Sequence, residues 1–220
     1  MKRKNVLALL FTMLLTVAFT TACSNDEEDG NGLVVEILPK IQPIELTQEQ
    51  KDFVNQNTDF TFNLFRTINQ QAESPESNII SPISVTYLLG MINDGAAGNT
   101  AKEIAAALGF GEGNAAAINE FCKNLINNAP KVDPAVKLMI SNVLIANKKQ
   151  DVKFASQFEK DMKNYYSAEI KNLDFSNKKG TLSDVNGWCS KKTSGVIPEI
   201  LSEKELDERC QILMMKRQKL

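Results

Sequence analysis

Residues 78–110 read NIISPISVTYLLGMINDGAAGNTAKEIAAALGF, and this stretch predicts two consecutive helices. Ser81 stands directly before Pro82. A serine at the N-cap followed by a proline in the first helical position is a typical helix start, because proline has no N–H to leave unsatisfied there. Apolar side chains then recur every three or four residues as far as Ile92, which is the spacing of a buried helix face.

The second helix of this stretch has its own start and stop signals. Gly95 and Gly98 interrupt the chain, and Thr100 and Glu103 then have the spacing of a capping box. Gly109 follows the last helical turn and is a typical helix end, because glycine adopts a left-handed backbone conformation without strain.

The flanking sequence predicts more helices and several strands. Thr47 and Gln50 have the spacing of another capping box. The segment 136–146 is rich in β-branched residues and almost continuously apolar, which predicts a strand buried on both faces. The other expected elements are helices at 48–69, 114–127 and 154–165 and a strand at 168–175.

Composition sets limits on fold and function. The chain has 220 residues, of which 43% are hydrophobic and 24% charged, which is typical of one globular domain. The net charge is −2, so there is no basic surplus that would attract nucleic acid, and we expect no nucleic-acid partner.

The N-terminus predicts a targeting segment. A basic stretch at 2–4 precedes an apolar run at 6–19, which is too short to span a membrane. The residues before Cys23 resemble the cleavage box of a bacterial lipoprotein. We therefore expect residues 1–22 to be a lipoprotein signal peptide and Cys23 to carry the lipid. A plain secretory signal with an incidental cysteine is the alternative.

Residues 23–45 predict a flexible, acidic tether. Four acidic residues at 26–29 are followed by Gly30 and Gly32, and such a run stays solvated. It also resembles the acidic export tag of some Gram-negative surface lipoproteins, so both interpretations stay open. With acyl chains on Cys23, we expect the protein to be anchored at the outer membrane or cell surface of a Gram-negative bacterium.

The chain also resembles a known family, the serpins. The helical stretch at 78–110 carries most of the resemblance, and one segment before it and three segments after it match in the family's order. The matching positions are Asn78, Ser81-Pro82, Ser84, Gly95-Ala96, Gly98-Asn99-Thr100 and Leu108-Gly109-Phe110, then Asn57 to Phe65, Ser141 to Ala146, Leu173-Asp174-Phe175 and Val185 to Ile197.

The resemblance implies an α+β fold, in which a helix-rich N-terminal half packs on part of a large central β-sheet. We expect residues 46–215 to form this half, with a helix through Val185 that stops near Gly195 and a last strand within 205–215. Residues 216–220 are expected to be an aberrant basic tail. A basic tail cannot continue a buried strand without burying unpaired charge, so the departure from the family pattern after Met215 predicts a frameshift or a false gene end.

The resemblance also implies a function for the full-length parent. Serpins inhibit serine proteases, and in some cases cysteine proteases, through a reactive loop near the C-terminus that is cleaved and then inserted into the main sheet. No reactive loop is expected within these 220 residues, so we predict that this chain alone is inactive. The alternative is a non-inhibitory binding lipoprotein at the cell surface.

By resemblance, Ser81, Ser84 and Asn186 belong to the shutter, the polar cluster beneath the point where the serpin sheet opens. Thr193 and Gly195 match the end of the helix that crosses the sheet, where their role is conformational. From the residues alone, Ser81 and Ser84 are equally explained as helix caps, and Asn186 as a helix-surface residue.

Rival functions have little support in the sequence. The chain has no histidine, which excludes Ser-His-Asp, Cys-His and His-ligated zinc sites, so we expect no enzyme, metal or cofactor. The sequence leaves open a catalytic site made of a Ser-Lys pair or of two carboxylates. The helix at 114–127 carries one lysine, Lys123, so no glycosaminoglycan partner is expected. Cys122, Cys189 and Cys210 have no metal or redox spacing, although a disulfide stays open.

Overall fold

The computed structural model describes residues 40–71, 78–111 and 114–219, and they all belong to one compact unit, Pro39–Leu220. The predicted signal peptide, the lipid site Cys23 and most of the predicted tether lie outside the described residues. Within the described ranges, no helix is long and apolar enough to cross a membrane.

The described residues form six α-helices and three β-strands, and the order alternates in the second half of the chain. The helices are α1 (Gln48–Gln71), α2 (Pro82–Gly95), α3 (Gly98–Ala107), α4 (Ala115–Asn128), α5 (Ser156–Tyr166) and α6 (Lys178–Lys192). The strands are β1 (Met139–Asn147), β2 (Ala168–Leu173) and β3 (Ile212–Lys219).

The three strands form one mixed sheet with the order β2-β1-β3. β1 runs parallel to β2 and antiparallel to β3, so that Asn142 lies opposite Ala168 on one side and Lys216 on the other. Four consecutive residues of the central strand, 143–146, are at most 1% exposed. The predicted burial of this strand on both faces is therefore confirmed.

The core has two parts, one on each face of this sheet. On the first face, which we call the five-helix face, α1 to α5 pack against Leu144 and Met214. On the opposite face, which we call the α6 face, Trp188 packs near Val143 and Ile145. Alternate strand residues point to opposite faces, which explains why neighbours such as Val143 and Leu144 belong to different parts of the core.

Several predicted helix ends are confirmed in detail. Gln50 N donates to Thr47 Oγ1 at 3.2 Å, and Thr47 N donates to Gln50 Oε1 at 3.3 Å, so the capping box before α1 is formed in both directions. Gly109, directly after α3, has φ +82°. These signals act within a few residues, which is why the sequence alone predicts them.

The capping box predicted at Thr100 and Glu103 is wrong. α3 begins at Gly98, and its N-cap residue, Ala97, has no side chain that could cap it. Thr100 therefore lies inside the first turn. The break between α2 and α3 is shorter than expected because Gly98 has φ +60° and turns the chain directly into the helix.

The predicted end of the last strand at Met215 is also wrong. β3 continues to Lys219, and its backbone pairs with β1 over this whole length, from Ile212 opposite Ala146 to Lys219 opposite Met139. A basic residue is tolerated in this strand because the side chain of Lys216 is only partly buried and has a hydroxyl partner. Residue 216 is thus part of the sheet and not of a separate tail.

Candidate conformational site

Ser81 and Ser84 lie together at the start of α2. Their hydroxyl oxygens are 2.8 Å apart, and Ser84 N donates to the Ser81 carbonyl at 2.9 Å. Ser81 does occupy the N-cap position, but its hydroxyl makes no capping hydrogen bond to the helix backbone. The two hydroxyl groups are therefore directed at each other and at a third group.

The third group is Lys216 of β3, which sequence analysis missed. Lys216 Nζ donates to Ser84 Oγ at 2.9 Å and lies 4.2 Å from the centre of the Tyr87 ring. A hydroxyl oxygen and an aromatic face are both favourable partners for an ammonium group. We call Ser81, Ser84, Tyr87 and Lys216 the serine–lysine contact; it joins the start of α2 to the edge strand of the sheet.

Strand alternation explains why Lys216 reaches α2. Met215 packs on the α6 face and Met214 on the five-helix face, so Lys216 points to the same face as Met214. It lies opposite Asn142 of β1. Asn142 Nδ2 donates to the Tyr166 carbonyl at 2.6 Å, while its buried Oδ1 accepts no hydrogen bond from any described residue.

A buried polar chain continues from Tyr166 away from the sheet. The Tyr166 hydroxyl donates to Asn119 Oδ1 at 2.7 Å, and Asn119 Nδ2 donates to Asp94 at the end of α2. Burial raises the pKa of Tyr166, so this hydroxyl stays protonated. Gly90 makes room for it, since a Cβ at this position would lie 2.7 Å from the hydroxyl oxygen.

Asn186 does not join Ser81 and Ser84. It lies on α6, on the opposite side of the sheet from α2. Its Oδ1 accepts from Ile200 N at 2.9 Å and Leu201 N at 3.0 Å, and its Nδ2 donates to the Leu201 carbonyl at 2.9 Å. Asn186 therefore holds the segment that follows α6 against that helix, and it is more than a surface residue.

Thr193 and Gly195 lie together where α6 ends. Thr193 Oγ1 donates to the Cys189 carbonyl at 2.9 Å and accepts from Ile197 N at 3.0 Å. Gly195 has φ +80°, and its N–H donates to the Ser190 carbonyl at 2.8 Å. This is the helix stop that the sequence predicts, and it turns the chain towards the segment that Asn186 holds.

No disulfide bond joins Cys122, Cys189 and Cys210 to one another, so the disulfide that the sequence left open is not formed between them. Within the described ranges, no group of three or more histidine, cysteine, aspartate or glutamate residues could hold a metal ion. The serine–lysine contact joins α2 to the edge strand β3 through the hydrogen bond from Lys216 to Ser84 and the packing of the Lys216 ammonium group on the Tyr87 ring.

Burial lowers the pKa of Lys216 to about 7. Between pH 7 and about pH 10.4, the ordinary pKa of lysine, the folded chain binds fewer protons than the unfolded chain, so folding releases a proton. We therefore expect the free energy of unfolding to rise with pH in this range. The release of one proton on folding raises the free energy of unfolding by about 1.4 kcal/mol per pH unit. The range from pH 7 to pH 8 isolates Lys216, because the raised pKa values of Cys122 and Tyr166 affect stability only near and above the ordinary pKa of each group, about 8.5 for cysteine and about 10 for tyrosine. Urea unfolding across this range measures the slope.

Two variants check that Lys216 causes this pH dependence. Lys216→Met removes the titrating group and should flatten the slope between pH 7 and pH 8. Lys204→Met replaces an exposed lysine and should leave the slope as it is. An unchanged slope in Lys216→Met would show that other groups cause it.

Comparison with known proteins places the chain in a family. The family model described as serpin (serine protease inhibitor) matches residues 55–216. Serine protease inhibitor A6 of Xenopus laevis is 30% identical over 174 residues, which are 77% of this chain and 39% of that protein. Corticosteroid-binding globulin of Saimiri sciureus is 30% identical over 150 residues, which are 66% of this chain and 36% of that protein.

Solved structures are similar over the same part of the chain. Arabidopsis AtSerpin1 in its native stressed conformation has a TM-score of 0.67 at 24% identity, covering 78% of this chain and 44% of that one. The thermophilic serpin tengpin in its latent state has a TM-score of 0.66 at 25% identity, covering 79% and 44%. The chain thus spans less than half the length of these relatives. The fold is that of an incomplete serpin domain, and the chain belongs to the serpin family.

Proposed function

We propose that these residues are the N-terminal half of a serpin-type protease inhibitor that acts on a serine or cysteine protease by inserting a reactive loop into its sheet. The observation that carries the proposal is the serine–lysine contact, which ties the edge strand β3 to α2. A family whose mechanism depends on opening a sheet needs a contact at this place that can break and re-form.

The position of β3 supports the proposal. β3 pairs with β1 on one side, and among the described strands none pairs with its other edge. An unpaired strand edge presents N–H and C=O groups to an additional strand. The proposed reactive loop would insert at this edge of β3.

The DNA that follows the codon for Leu220 tests the origin of the sequence. The proposal predicts an open frame, in the same or a shifted register, that encodes the second half of a serpin domain. The longer product should form an SDS-resistant complex with a target protease. Unrelated sequence at this place would leave the 220 residues without an inhibitory parent and would contradict the proposal.

A non-inhibitory binding protein is the second candidate. Corticosteroid-binding globulins from three species are among the relatives, with identities of 26% to 30%, so membership of the family does not by itself establish inhibition. A longer product that is cleaved by every protease tested without forming a covalent complex, yet binds a small ligand, would favour this candidate.

We also propose that acyl chains on Cys23 anchor the protein at the outer membrane or cell surface of a Gram-negative bacterium. The support is the sequence of residues 1–23, with its basic start, apolar run and small residues before the cysteine. On this basis the anchored protein protects the cell surface from foreign proteases.

Lipid attachment predicts a clear result with Cys23→Ser. The chain that retains Cys23, expressed in a Gram-negative host fed an alkyne fatty acid, should become labelled and sediment with membranes. Cys23→Ser should lose both properties. Cys210→Ser is the matched control, since Cys210 is a partly exposed free thiol in the folded unit. Labelling that persists in Cys23→Ser would contradict the proposed anchor.

A further inference from the structure

A cavity of about 610 Å³ lies between the end of α2, the start of α5 and the start of β3. This volume is within the range of small-molecule sites, which are mostly apolar with a few polar groups. Its walls include the aromatic rings of Phe154 and Phe158, whose centres are 5.5 Å apart, and the side chain of Met214. An aromatic or branched apolar group would therefore find matching surface.

Two carboxylates, Asp94 and Asp161, also line this cavity. Asn119 Nδ2 donates to one oxygen of Asp94, and Gln157 Nε2 donates to both oxygens of Asp161 at 3.0 and 3.1 Å. Burial, together with the charge of Asp161, raises the pKa of Asp94. The two acids repel each other, and a cation between them would relieve this repulsion.

One cationic side chain, Lys153, is also among the lining residues. Its ammonium group lies 3.3 Å from Asp151 Oδ1 and is largely exposed, with 81% of the side chain accessible. Lys153 thus pairs with an acid outside the cavity, and the charge of Asp94 and Asp161 remains for a ligand.

A glycine at the end of α2 lets the aromatic wall of the cavity lie close to that helix. A Cβ at Gly95 would lie 3.0 Å from the Phe158 ring, so any larger residue here would press on this wall.

We propose that this cavity binds a small amphipathic ammonium compound, with its apolar group against Phe154 and Phe158 and its ammonium group between Asp94 and Asp161. The apolar walls supply affinity through burial, and the paired carboxylates select a cation over a neutral or anionic analogue. The site is separate from the serine–lysine contact and does not depend on the proposed inhibitory function.

Three probes that share a phenyl group on a short chain test the charge preference on the full chain at pH 7. These are 2-phenylethylammonium, neutral 2-phenylethanol and anionic 3-phenylpropionate, compared by saturation-transfer NMR and isothermal titration calorimetry. We expect the ammonium compound to bind at least tenfold more tightly than the alcohol, and the anion to give no measurable binding. Equal binding of the ammonium compound and the alcohol would overturn the proposal.

Isosteric variants then locate the site. Asp94→Asn and Asp161→Asn should each weaken binding of 2-phenylethylammonium at least fivefold, and the matched control Asp59→Asn, at an exposed position of α1, should not. Circular dichroism confirms that each variant is folded. Wild-type affinity in both Asp94→Asn and Asp161→Asn would overturn the proposal, whatever the analogue comparison shows.

Discussion

Replacing Gly109 by alanine is expected to destabilise the folded protein by about 3 kcal/mol. Gly109 has φ +82°, a conformation that alanine adopts only with strain. In addition, a Cβ at this position would lie 2.6 Å from the Gln56 carbonyl oxygen of α1, which is backbone and cannot rotate away. α1 and the end of α3 would have to separate. The midpoint of urea unfolding measures the loss.

Gly98→Ala is the matched control for this prediction. Gly98 also has a positive φ, +60°, but a Cβ there would meet no atom within 4 Å. Only the backbone strain should remain, and we expect a loss of about 1 kcal/mol. Equal losses in the two variants would show that the contact with Gln56 contributes nothing.

Replacing Asn147 by alanine should be nearly as damaging, with an expected loss of about 3 kcal/mol. Asn147 is fully buried at the end of β1. Its Nδ2 donates to the carbonyls of Glu208 at 2.8 Å and Cys210 at 2.9 Å, and its Oδ1 accepts from Lys149 N at 3.1 Å. Alanine leaves these backbone groups without their partners. Loss of the Asn147 bonds also frees the segment that leads into β3.

Asn172→Ala provides the comparison for Asn147. Asn172 lies on the neighbouring strand β2 and is exposed, so its replacement should change stability by less than about 0.5 kcal/mol. Thermal unfolding of the two variants, followed by circular dichroism, gives both values. A similar small change in Asn147→Ala would mean that water replaces the lost partners.

Local features of the fold were predictable from the sequence. The capping box of Thr47 and Gln50, the glycine stop at Gly109 and the doubly buried strand β1 each depend on residues within one element or its immediate ends. The failed capping box at Thr100 has the same pattern as the successful one. It fails because Gly98, two residues earlier, already turns the chain into the helix.

The candidate site depends on contacts that no local pattern reports. Lys216 and Ser84 are separated by 132 positions in the sequence, and Asn186 bonds to a segment 14 and 15 positions away. The sequence predicts Lys216 as part of a polar tail because its charge is unfavourable in a buried strand. Its partial burial and its contacts with Ser84 and Tyr87 depend on the register of β3 against β1, which no local pattern specifies.

The most direct test of the proposed function is incubation of the 220-residue chain with a panel of serine and cysteine proteases, followed by denaturing electrophoresis. A full-length inhibitory serpin serves as the positive control. We propose that these residues supply scaffold and the serine–lysine contact of the inhibitor, but not its reactive loop. We therefore predict no SDS-resistant complex with any protease. A covalent complex formed by this chain alone would contradict the proposal.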